Sequence, residues 1–167
     1  MNDLPDSLIQ QRNSLLDEIS QAFSMVSLRG GVSWRGAHLI DLFWEPMERA
    51  LSESEKDWDI NWLEPLSDPN WLEGGRSEWC FLDPIGFRFY LPSAMTLCVV
   101  EGFDAAGITS NLTLGDYGIE QWSALDASQR RCIRSFLRFM LALQLFTGDG
   151  GWPDWQNALE TYWNNVE

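Results

Sequence analysis

The sequence predicts an α+β fold: a single, mainly helical domain over residues 1–167 with one small β-hairpin near residues 79–90. Three observations lead there. Two segments, residues 6–27 and 125–148, place their apolar residues at helical intervals. The runs "WCFL" and "FRFY" flank "DPIG", whose Asp, Pro and Gly stand at the positions a type I turn prefers. Ten Trp, nine Phe and three Tyr in 167 residues supply apolar surface for one core without disulfide staples, at about 150–250 Å² per ring.

The first helix carries Leu8, Leu15, Leu16, Ile19, Ala22, Phe23 and Val26 on one stripe, with Asp6 or Ser7 as its N-cap and "RGG" at 29–31 as its end. Ser33 caps a second helix holding Leu39, Ile40, Leu42 and Phe43, which Pro46 breaks before a further turn or two to about Glu55. From Asp57 to Gly75 no period persists, and "DWDINWLEPLSDPNWLEGG" reads as a long loop pinned by its Trp side chains. In the hairpin, Leu82, Phe87, Cys80 and Phe89 share the core face, while Trp79, Phe81, Arg88 and Tyr90 share the other. Pro92 then opens a helix through Ala94, Leu97, Cys98 and Glu101, and residues 102–118 are a connection. The strongest helix follows, with Asp126 and Gln129 spaced as a capping box and Gly148 as the stop. After a turn at "GDGGWPDW", residues 154–164 form a last short helix.

Charge narrows the function classes. The net charge is −14, and residues 41–83 hold twelve acids against Arg49, Lys56 and Arg76, a local net of −9. Such a surface repels nucleic acid and anionic membrane and attracts basic partners, unless it imitates nucleic acid. The acidic N-terminus has no secretory pattern, and runs such as "MTLCVV" are too short to span a bilayer, so a cytoplasmic protein is expected. Cys80, Cys98 and Cys132 are odd in number and sit among apolar residues, which suits reduced core thiols.

Catalytic and metal patterns are sparse. His38 is the sole histidine and reads as a structural residue, with Asp41 at i+3 as a possible pair. "GGVSWRG" lacks the features of a phosphate-binding loop. Asp57, Asp59 and Asn61 copy the first ligands of an EF-hand, yet Trp62 stands where the turn needs Gly and Asp68 where it needs Glu, so no metal site is expected. No cofactor is implied. Arg130, Arg131, Arg134 and Arg138 share one arc of the strongest helix, where they either pair with acids or bind an anion. Arg88, among Trp79, Phe81 and Tyr90, reads as a structural hub with Asp83, Gly86 and Pro92.

The stretch "FLDPIGFRFYLPSAM", with "QRRCIRSFLRFM" some forty residues later, resembles an uncharacterised bacterial family, a domain of unknown function with a Phe-Leu-Asp-x-x-Gly-x-Arg-Phe-Tyr-Leu-Pro signature. The resemblance implies lineage and carries no activity with it. The residues themselves point to a non-catalytic acidic binding protein, of the immunity or inhibitor type, that neutralises a basic partner such as a toxin domain. Its expected contact residues are Glu53, Glu55, Asp57, Trp58, Asp59, Trp62, Glu64 and Trp71, aromatic anchors ringed by charge. The alternative is an enzyme or small-anion binder that uses Arg88 and the Arg130–Arg138 helix face.

Overall fold

The computed structural model of the chain describes residues 4–68, 71, 77–113, 116–148 and 154–164, with the side chains of residues 116 and 117 excepted. Among these residues the regular structure is helical and contains no strand. The helices are α1 (Asp6–Ala22), α2 (Trp34–Phe43), α3 (Met47–Ser54), α4 (Pro84–Glu101), α5 (Thr109–Thr113), α6 (Asp116–Trp122), α7 (Ala127–Thr147) and α8 (Trp155–Ala158). Single 3-10 turns cover Glu55–Asp57, Glu64–Ser67 and Ser77–Phe81, and a π turn over Leu159–Trp163 follows α8.

This corrects the α+β expectation. Residues 79–90 form no hairpin: Ser77–Phe81 is a 3-10 turn, and "PIGFRFYLP" lies inside α4. The signals were real but belong to a helix start. Asp83 Oδ1 accepts from Gly86 N at 2.8 Å, and Phe87 N donates to Asp83 O at 2.9 Å, so Asp83 caps α4 and Pro84 occupies the first turn, where its missing N–H costs nothing. The two proposed strand faces therefore do not exist, and Arg88 has no cross-strand neighbours. Pro92 does not open a helix but sits within one. It has no N–H for the Arg88 carbonyl, a defect of about 3 kcal/mol in an ordinary helix interior. Full burial of Phe87, Phe89, Leu91, Met95 and Val99 offsets it.

The residues assort into two compact units. The first combines Met1–Ser24, Ala94–Gly115 and Leu125–Glu167. Here α1 packs on α7, which in turn packs on α8. α1 begins one residue after Pro5 and has no side-chain cap, so neither Asp6 nor Ser7 caps it, and it ends at Ala22 rather than at the "RGG". α7 follows the sequence pattern closely: Asp126 and Gln129 form the reciprocal capping box, Gly148 closes the helix with φ 71°, and Ile133, Phe136, Leu137 and Met140 are buried. The connection expected at 102–118 holds α5, whose start is tied by Asp104 accepting from Ile108 N at 2.8 Å and Thr109 Oγ1 at 2.8 Å. Phe136 and Trp155 meet edge to face at 5.5 Å, and Trp163 Nε1 donates to Leu112 O at 3.0 Å. Of the turn expected at "GDGGWPDW", residues 149–153 lie outside the described residues.

Cys98 and Cys132 are buried here, whereas Cys80, in the other unit, is exposed and not a core thiol. Burial raises both buried thiols far above their ordinary value of 9.0, and it raises Tyr90 above 10.0. Each group keeps its proton in the folded chain while the unfolded chain loses it. Their contribution is therefore intact below about pH 9 and falls as pH rises beyond it, by up to about 1.4 kcal/mol per pH unit per group. Urea unfolding at pH 7, 9 and 10.5 is expected to show stability declining over the last interval. A flat profile would contradict this burial.

The second unit combines Met25–Ser93 and Asp116–Ala124. α2 is capped as expected, with Ser33 Oγ accepting from Gly36 N at 3.2 Å, and it packs on α3 and on the Ser77–Phe81 turn. Ser54 Oγ accepts from Ser33 N at 2.8 Å and donates to Ala50 O at 2.6 Å, locking α3 to the start of α2. The Trp-rich stretch after α3 is held by backbone acceptors. Trp58 Nε1 donates to Gly31 O at 2.9 Å, and the Ser93 hydroxyl donates to the carbonyl of buried Trp62. Gln121 of α6 donates to Trp79 O at 2.6 Å and Leu82 O at 2.9 Å, fixing the turn that leads into α4.

Candidate functional site

Within the second unit, α2, the Trp-rich stretch, the Ser77–Phe81 turn and the start of α4 line an open cavity of about 630 Å³. Its position follows from the caps. Ser33 starts α2 so that Trp34, Arg35 and His38 line one side, while Asp83 starts α4 so that Tyr90 reaches the same space. Trp34 stands edge-on to Trp71 at 5.9 Å and to Tyr90 at 5.6 Å. Trp71 and Tyr90 lie within 21° of parallel at 6.3 Å. Tyr90 Oη accepts from Trp34 N at 3.0 Å. These rings form an aromatic wall.

The rest of the lining is charged. Asp57, Glu64, Asp68 and Glu78 bring four carboxylates against one permanent cation, Arg35. Arg35 Nε lies 3.6 Å from Asp57 Oδ2, with the Arg35 side chain mostly exposed. Glu78 is wholly buried, and its Oε1 lies 2.8 Å from His38 Nδ1. An ionised carboxylate only accepts, so His38 holds its proton on Nδ1 when Glu78 is charged, and Nε2 is left as the second ring position. Glu78 Oε2 and Trp71 Nε1 are buried with no hydrogen-bond partner among the described residues. No three His, Cys, Asp or Glu among the described residues are placed to share a metal ion.

The expected contact residues divide. Asp57, Glu64 and Trp71 meet at the cavity. Glu53 pairs with Lys56 at 2.6 Å, which holds its carboxyl below the ordinary value, and Asp59 pairs with Arg29. Glu55 is exposed, Trp58 half-buried and Trp62 buried, so the two tryptophans hold the segment rather than offer free rings. Of the expected hub, Tyr90 lines the cavity, Trp79 packs edge-on against Trp34 at 5.1 Å, and Arg88 Nη1 donates to Ala124 O at 3.2 Å. On α7, Arg130 Nε donates to Leu125 O at 3.1 Å. Arg138 lines a smaller cleft of about 290 Å³ with Glu18 and Ser135. Arg131 is exposed and Arg134 half-buried.

Sequence reasoning missed two features. The first is the His38–Glu78 pair: Asp41, the suggested partner at i+3, instead accepts from Ser77 Oγ at 2.6 Å. The second lies at the turn between α2 and α3. There Leu42, Phe43 and Met47 are exposed, and Trp44 is 89% exposed. Trp44 also closes α2 in the left-handed region at φ 54°, where a residue other than glycine is strained by about 1–2 kcal/mol. Glu45 and Glu48 flank this apolar tip.

No curated protein and no solved structure matches the chain. A family model does, over residues 11–167, nearly the whole length. With that coverage, the chain belongs to DUF6714, a family of unknown function.

Proposed function

We propose that the protein is a non-catalytic, cytoplasmic binding protein of bacterial type whose acidic second unit engages a basic protein partner, as an immunity or inhibitor protein engages a toxin. The observation that carries this reading is the tip at Leu42, Phe43, Trp44 and Met47, large apolar side chains in the open beside acids, on a chain of net charge −14. Desolvated aromatic anchors with a charged surround are the composition of binding hot spots, and a strong negative field speeds encounter with a basic surface. An exposed Trp held in a strained backbone conformation has no role in the core. Glu55, exposed and unpaired among the described residues, extends the acidic surround.

The tip yields two effects of opposite sign. Trp44→Gly is expected to raise stability by about 1 kcal/mol, because glycine adopts the left-handed region freely. The same substitution is expected to weaken the partner complex by about 2 kcal/mol or more. The test is affinity purification, then titration of the purified partner over a range of salt. The expected partner is basic, and its complex weakens with salt, with Trp44→Gly and with Glu55→Lys. An acidic partner, or a complex indifferent to salt and to both substitutions, overturns the reading.

A further inference from the structure

We infer that the cavity of the second unit is a binding site for an organic cation of the guanidinium class, anchored by Glu78 and lying against the half-buried rings of Trp34 and Trp71. Four carboxylates face Arg35, so an anion entering the cavity would meet net repulsion. Glu78 adds the specific demand. It is fully buried, His38 satisfies one of its oxygens, and Oε2 has no donor among the described residues. A buried carboxylate oxygen left without a donor is costly. Glu78 is one of the residues lining the cavity, so a cation that enters there is the one placed to supply the donor that Oε2 lacks.

Guanidinium meets that demand and those of the rings together. It brings five N–H donors in a plane, is more weakly hydrated than an ammonium, and stacks on aromatic faces. The carboxylates do not converge as metal ligands, which favours an extended cation over an ion. A volume of about 630 Å³ falls in the range of small-ligand sites and accommodates an arginine side chain. Two sources share this chemistry: an arginine presented by a protein partner and a free guanidinium compound. The first source rests on the basic-partner reading; the cavity argument does not.

Calorimetric titration of the full chain with acetyl-Ala-Arg-Ala-amide and with agmatine tests the site, with the matching Lys and Glu peptides as comparisons. The arginine peptide or agmatine is expected to bind, the Lys peptide more weakly, and the Glu peptide not at all. Glu78→Gln is expected to weaken binding by about ten- to a hundredfold, the scale of one charge-assisted hydrogen bond. Because Glu78 is buried, exposed Glu64→Gln and Asp68→Asn provide the check in a folded chain, each expected to weaken binding severalfold. Tighter binding of the peptide points to a partner's arginine, and tighter binding of agmatine to a free compound; both uphold the site. Absence of guanidinium binding at millimolar concentration, equal binding of the Glu peptide, or affinity unchanged in Glu64→Gln and Asp68→Asn overturns it. Trp44 is not part of the cavity lining, so Trp44→Gly leaves these titrations unchanged. Failed titrations beside a Trp44-dependent partner complex would remove the cation site alone.

Discussion

Replacing Gly86 with alanine is expected to destabilise the protein by about 3 kcal/mol, at the upper end for overpacking a tight site. Gly86 lies in the first turn of α4, where helix propensity favours alanine by about 1 kcal/mol, so propensity predicts the opposite sign. The close approach decides. A Cβ at this position would lie 2.2 Å from Val32 O and 3.0 Å from Asp83 Oδ1. Neither atom can yield cheaply: Val32 is fully buried, and its N–H is bonded to the same Asp83 oxygen at 2.9 Å. Chemical denaturation of Gly86→Ala checks this, and a variant as stable as the parent would mean the two segments do not pack this closely.

Asp83→Ala is expected to cost a similar amount, about 2–4 kcal/mol, by a different route. One carboxylate oxygen accepts from Gly86 N at 2.8 Å and from Val32 N at 2.9 Å, so it caps α4 and ties α4 to the segment before α2. Loss of the cap costs about 1 kcal/mol, and the buried Val32 N–H left without an acceptor adds about 1–3 kcal/mol. Asp83→Asn, which keeps an acceptor oxygen, is expected to recover part of the loss. Both positions act on Val32, so the double variant should be less destabilised than the two single losses combined. Equal stability of Asp83→Ala and parent would sink the bridging role.

Legibility tracked periodicity and local capping. α7 is amphipathic, starts on a capping box and stops on a glycine, so each local signal agrees with the fold. α4 is apolar on nearly every side, so it shows no stripe, and its aromatic run matches strand preferences as well as a buried helix. "DPIG" was ambiguous for a physical reason: a type I turn and the first turn of a helix share their backbone angles and residue preferences. The cavity was half visible. Asp57, Glu64 and Trp71 stood out by composition, whereas His38 and Glu78 are forty residues apart and nothing local marks an acid for complete burial. Trp44 was hidden because Leu42 and Phe43 continue an apolar pattern that the helix leaves in the open.

The discontinuous first unit also sets an order of events at the ribosome. α1 finds its packing partner in α7, and the bond from Gln129 Nε2 to Ala22 O spans 107 residues. At roughly 5–20 residues per second, α1 emerges several seconds or more before that partner is made. Through that interval Leu15, Ile19 and Phe23 are a nascent apolar stripe without a mate. Until α7 is made, that stripe is open to any other apolar surface that meets it.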